Sequence, residues 1–153
     1  MISNSKKYII EIIKLCGSDI EGRKKLMKLC FFMNHYDFEN NKKLKNPLFD
    51  VPFVVYHFGP FSFSVQEDYS ELVKEGVIKD GFPIKLVEEV EYSLTDKEKG
   101  AIKLMLSKIG KLHGFQLEEK SLRVLGISKK DKKNLFGKEV REIIEEGQLE
   151  LNN

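Results

Sequence analysis

The sequence predicts a mostly α-helical α+β fold, and three observations carry that expectation. Apolar residues recur at helical spacing in several separate segments, Ser/Thr-x-x-Glu capping signatures precede two of them, and one short β-branched and aromatic run, Val51 to Phe58, interrupts the helices. With 153 residues, 41% of them hydrophobic and 11 Phe and 5 Tyr among them, the chain is expected to form one domain that buries its own core without disulfides or metal.

From Ser5 to Cys16, Ile9, Ile12, Ile13 and Cys16 fall at i, i+3, i+4 and i+7 and form one stripe of an amphipathic helix that Gly17 closes. After a polar turn, Ser18 to Glu21, a second helix begins near Gly22, with Leu26, Leu29, Cys30 and Met33 inward. Arg23, Lys24, Lys25 and Lys28 cluster at its start. Cations at a helix N-terminus oppose the macrodipole, so local helix stability does not explain them. Asn40 to Pro47 reads as a polar surface loop and Val51 to Phe58 as a strand ended by Gly59-Pro60. Ser64 and Glu67 have capping-box spacing and start a third helix, about Ser64 to Glu75, with Val65, Tyr69, Leu72 and Val73 inward and Gly76 as the stop.

Val77-Ile78, the Lys79-Asp80-Gly81 turn signal and the alternation Val90, Tyr92, Leu94 read as a β-ribbon. Thr95 and Glu98 form another capping box, followed by the helical stripe Ile102, Met105, Leu106, Ile109 and Leu112. Beyond Gly114, residues 117 to 147 read as one or two shorter helices with Phe136, Val140, Ile143 and Ile144 as their apolar face. The order helix, helix, strand, helix, ribbon, helix predicts a winged-helix-like core over residues 1–113 with a C-terminal helical extension over 114–153, all one domain.

The residues that carry a resemblance lie within that core. Gly22-Arg-Lys-Lys-Leu-Met-Lys-Leu29 followed by aromatics, Tyr56-His-Phe-Gly-Pro-Phe-Ser62, Leu72-Val-Lys-Glu-Gly-Val-Ile78 and Tyr92-Ser-Leu-Thr95 stand in an order that resembles the YwgA-like family of bacterial and archaeal proteins. The same order is similar to the Panacea (SocA-like) antitoxin domain. The likeness spans about residues 8 to 100, and its hallmark positions here are Leu26, Lys28, Leu29, Gly59 and Pro60. It implies a module that binds a protein, as Panacea domains bind toxins, and implies no activity.

The residues themselves point away from catalysis. No G-x-S-x-G, H-E-x-x-H, phosphate-loop or dinucleotide-binding pattern is present, and His57 could act as a general base only if a nucleophile or carboxylate converged on it; it reads first as a strand histidine bonded to backbone. Cys16 and Cys30 fall on apolar helix faces without companion ligands, so no metal or cofactor is expected. Apolar runs are too short to span a bilayer and the N-terminal residues do not resemble a signal peptide, which predicts a cytoplasmic protein.

Charge then directs the choice of partner. The net +2 divides into +4 over residues 1–61, −5 over 62–100 and +3 over 101–153. The third helix, the usual DNA reader of a winged helix, carries Glu67, Asp68, Glu71 and Glu75 against Lys74, which disfavours standard docking on a phosphate polyanion. The leading expectation is therefore a regulatory or antitoxin-like module that binds a protein partner through Glu67, Asp68, Glu71, Glu75 and Phe61. The alternative is a DNA-binding regulator using Arg23, Lys24, Lys25 and Lys28. A homodimer through the terminal helices is compatible with either.

Overall fold

The computed structural model describes residues 2–17, 20–49 and 51–152, without the side chains of 149–152. Ser18 and Asp19 of the expected polar turn lie outside the described residues. The fold is mostly helical α+β: α1 (Asn4–Cys16), α2 (Arg23–His35), β1 (Tyr36–Asp37), β2 (Lys42–Lys43), β3 (Val54–Tyr56), β4 (Gly59–Phe61), α3 (Phe63–Lys74), β5 (Ile78–Lys79), β6 (Lys85–Leu86), α4 (Asp96–Ile109), α5 (Gly114–Leu125) and α6 (Val140–Asn152). No described helix is long and apolar enough to cross a membrane.

α2 is the central element. Its residues from Lys25 to His35 are buried without a break, and α1, α3, α4, α5 and β4 all pack on it. A helix covered on every side must satisfy its polar side chains internally. Asn34 does so by donating to the Cys30 carbonyl at 2.9 Å and accepting from the Phe49 amide at 3.1 Å. His35 pairs through Nδ1 with the Leu44 carbonyl at 2.8 Å, and burial lowers its pKa. Cys30 is buried in the same helix, and burial pushes its thiol up to about 12. Cys16 and Cys30 are not joined in a disulfide.

Several elements form where the sequence places them. Gly17 closes α1 with φ 59°, and the Thr95–Glu98 capping box at α4 is complete. Others differ for identifiable reasons. The loop expected over 40–47 contains β2, which pairs with β1 across a turn where Asn41 takes φ 53°. Gly59-Pro60 does not end a strand; it is the return strand β4, and His57-Phe58 make the turn. Pro60 is tolerated because its partner Val55 directs its own amide and carbonyl to the opposite edge, where Lys138 O accepts at 3.0 Å and Gly137 N donates at 2.7 Å.

The ribbon expected to return at Val90 to Leu94 returns earlier, as β6. The later alternation is irregular chain tied down by Tyr92, whose hydroxyl donates to Glu11. Two further tyrosines make like contacts, Tyr8 to Glu98 at 2.6 Å and Tyr69 to Asp80. Burial, then the hydrogen-bonded carboxylate, raises all three phenols. The described strands form three separate two-stranded sheets, β1 with β2, β3 with β4 and β5 with β6, and the outer edge of β3 is bridged at Val54 by Glu139.

The described C-terminal segments share the core of the preceding residues. Leu117, Leu122, Leu125, Ile127, Val140 and Ile144 belong to the same buried cluster as Ile9, Phe31 and Phe53. Backbone bonds from 137 to 140 lie along β3, including Val140 N to Phe53 O at 2.9 Å. Phe136, expected on the apolar face of a helix, precedes α6 and is half-exposed.

The N-cap of α3 is Ser62 rather than Ser64: the Ser62 hydroxyl accepts from the Val65 amide at 3.2 Å and is fully buried. Ser64 lies inside the first turn. Substituting Ser62→Ala is therefore expected to lower stability by about 1 kcal/mol in urea unfolding, whereas Ser64→Ala changes it by only a few tenths. Equal effects of the two would contradict this cap.

Candidate functional site

The site forms where the first turns of α2 meet the β3–β4 hairpin and α5. Residues four apart on α2 stack on one face, so Lys24 and Lys28 lie one above the other. Lys28 is 2% exposed, and its Nζ donates to the Pro60 carbonyl at 2.9 Å. An ammonium has three N–H donors, and among the described residues that carbonyl is its only hydrogen-bond acceptor.

Gly59 sits beside this bond with φ 90°, a conformation that L side chains rarely adopt. A Cβ there would meet Ser121 Oγ at 3.4 Å, Glu118 Cγ at 3.7 Å and Lys28 Cε at 3.7 Å, all ordinary contact distances, so the backbone rather than the space calls for glycine. Glu118 arrives with α5 and pairs with Lys24 Nζ at 2.7 Å and Lys132 Nζ at 3.8 Å. Burial pulls the Lys28 pKa down to about 8; Glu118 opposes that shift, while Lys24 and Lys132 add to it.

Outside this buried charge lies an aromatic face. Tyr56 is its hub, with ring centroids 5.1 Å from Phe61, 5.4 Å from Phe63 and 4.9 Å from Phe136. His57, at the hairpin turn, is exposed and lies 5.0 Å from Phe136, which makes it a surface ring rather than a strand histidine bonded to backbone. Phe58 and Phe63 are each 59% exposed and Phe136 is 48% exposed. Lys24 Nζ sits 4.7 Å from the Phe58 ring centroid, in cation–π contact. A pocket of about 250 Å³ opens between these groups, with Met27, Tyr56, Phe58 and Phe61 as apolar walls and Arg23, Lys24 and Lys28 as cations.

The structure brings together residues that the sequence reading put in competing hypotheses. Phe61 shares the pocket with Arg23, Lys24 and Lys28. Lys25 is not at the surface with them; it is 1% exposed, so the basic cluster divides into an outer pair and two buried lysines. Glu67, Asp68, Glu71 and Glu75 do not line the pocket. Asp68 accepts from Ser3 and Ser5, and Lys6 pairs with Glu71 at 2.6 Å and Glu75 at 3.7 Å, so much of that acidic face is engaged by α1 and its cap. Glu67 is exposed.

Tyr56, Phe58, Phe63, Gln66, Glu118 and Phe136 were not singled out as site residues. The hairpin supplies a local signal: three aromatics gathered about a tight turn, Tyr56, Phe58 and Phe61, cannot all face inward. Glu118 and Phe136 lie too far along the chain for any spacing rule to connect them.

A groove of about 520 Å³ runs between the β1–β2 hairpin and α4, but none of the buried polar or charged side chains lines it. Among the described residues no group of three His, Cys, Asp or Glu gathers to hold a metal. Comparison of the chain with protein-family models, curated proteins and solved structures returns no match.

The buried ammonium has a measurable consequence. Its folded pKa, about 8, lies below the ordinary 10.5, so between those values the unfolded chain binds more protons. Burying the charge is fully unfavourable below pH 8 and is relieved as pH rises toward 10.5. Relative to Lys28→Met, the wild type should gain stability across that window, on the order of 3 kcal/mol in total. Urea unfolding of both proteins through the window checks it; parallel pH profiles would show that Lys28 is not buried as a charged group.

Proposed function

We infer that the chain is a non-enzymatic binding module, regulatory or antitoxin-like, whose protein partner docks on the aromatic face of the β3–β4 hairpin. The observation that carries this reading is the exposure of Phe58, Phe63 and Phe136 around Tyr56, beside a pocket with a cationic floor. Rigid aromatic anchors next to Arg and Lys are the composition of interface hot spots, and large rings held in solvent do nothing for the core. The resemblance to the YwgA-like and Panacea proteins, and the winged-helix-like order of elements, support the same reading. The engagement of Asp68, Glu71 and Glu75 by α1 moves the contact from the acidic face of α3 to the hairpin, with Phe61 retained.

DNA binding is the second reading, favoured by Arg23 and Lys24 at the pocket rim. With Lys25 and Lys28 buried, the cluster presents few cations to a phosphate track.

Pull-down from the native cell is expected to recover one protein with the wild-type chain and to lose it with the exposed-ring variant Phe58→Ala/Phe136→Ala. Truncating hot-spot rings typically costs 2 kcal/mol or more, about thirtyfold in affinity. Gel shifts of the pure protein over a salt series provide the contrast. Tight sequence-specific DNA binding with no protein recovered would overturn this function.

A further inference from the structure

The pocket at the foot of the hairpin is built around a charge that the protein itself does not fully satisfy. Lys28 is as buried as the apolar core, its ammonium has one hydrogen-bond acceptor among the described residues, and the residue lines a cavity open to solvent. A buried cation is stable only when paired or hydrogen-bonded, so an ammonium with two N–H donors left over is matched to an anion. No Asp or Glu lines the cavity, while Arg23 and Lys24 stand at its rim. The remaining wall is apolar, formed by Met27, Tyr56, Phe58 and Phe61.

We propose that this pocket receives the carboxylate of an acidic partner segment, whose neighbouring aromatic or aliphatic side chain lies against Tyr56, Phe58 and Phe61. The proposal rests on the protein-binding reading above and specifies what the partner must present.

The charge arrangement favours one carboxylate over a nucleic-acid backbone. Lys24 is already paired with Glu118 at 2.7 Å, and Arg23 stands 3.7 Å from Asp80, so the site holds excess positive charge only locally. A polyanion running out of the pocket past Gln66 would meet α3, where Glu67 is exposed. A peptide carboxylate stops at Lys28, where a low-dielectric setting strengthens a charge-assisted hydrogen bond.

The test uses the full chain and three probes: short peptides with a central Asp or Glu beside Phe, Tyr or Leu, the same peptides with Asn or Gln in place of the acid, and oligothymidylate. Binding is read by fluorescence anisotropy. The acidic–apolar peptides should bind, the amide peptides should bind about tenfold more weakly or not at all, and the oligonucleotide should not compete. Lys28→Met should reduce the acidic-peptide affinity by about tenfold or more. Arg23→Ala and Phe58→Ala, both at exposed positions where folding is not at stake, should each reduce it severalfold.

Equal binding of acid and amide peptides, no binding of either, unchanged affinity in Lys28→Met, or preferential binding of oligothymidylate overturns the proposal. If the cellular partner is still captured through Phe58 and Phe136 while the acidic peptides fail, the carboxylate pocket falls and the aromatic docking face stands. If capture also fails, both fall.

Discussion

The hydrogen bond from Lys28 to the Pro60 carbonyl is the contact on which the arrangement of the site depends. It joins the central helix to the hairpin through a side chain of the one and a backbone carbonyl of the other. Beside it Gly59 holds φ 90°, with Ser121 and Glu118 of α5 close by. Glu118 then sets the electrostatics of the whole region by facing Lys24, Lys132 and, at longer range, Lys28. Replacing a lysine in such a setting with an apolar residue often leaves a fold as stable or more so. Stability alone therefore does not account for a lysine buried at the floor of this pocket.

The exposed rings follow from the same geometry. Val55 is the inward residue of β3, fully buried between the hairpin and the segment at 137–138 that covers its free edge. Alternation then sends Tyr56 outward along β3, and the turn at His57-Phe58 leaves both of those rings in solvent. Covering the β3 edge also delivers Phe136 to Tyr56, so one backbone contact protects an otherwise exposed strand and completes the aromatic face. The segment carrying Phe136 to Lys138 is thus part of the site.

Helices were legible because their signals are local. The stripe of α1, the Gly17 stop and the Thr95–Glu98 box each lie within a few residues of the structure they specify. The hairpins were harder because a turn of two residues such as His57-Phe58 lacks the Asn-Gly or Asp-Gly signal, while Gly59-Pro60 carries a turn signal and is strand. Choosing between Ser62 and Ser64 as cap depended on where that return strand ended. Of the site, the sequence singled out Lys28, Gly59 and Pro60 without the reason they occur together. That reason is a contact across 32 residues, and the burial of Lys28 beneath it was not readable because lysine at a helix start is ordinarily solvated.

Charge counted along the chain was the least transferable observation. The −5 segment at 62–100 suggested an acidic surface facing a basic partner, yet much of that acid is matched from elsewhere in the fold. Lys6 of α1 meets Glu71 and Glu75, Ser3 and Ser5 meet Asp68, Tyr8 meets Glu98, and Arg23 and Tyr69 meet Asp80. Linear charge blocks report on which segments attract one another during folding as much as on what the folded surface attracts. The charge that matters for a ligand is the one left incompletely matched at low dielectric, and here that is a cation on α2. An excess of negative charge in the middle of the sequence therefore coexists with a site built for an anion.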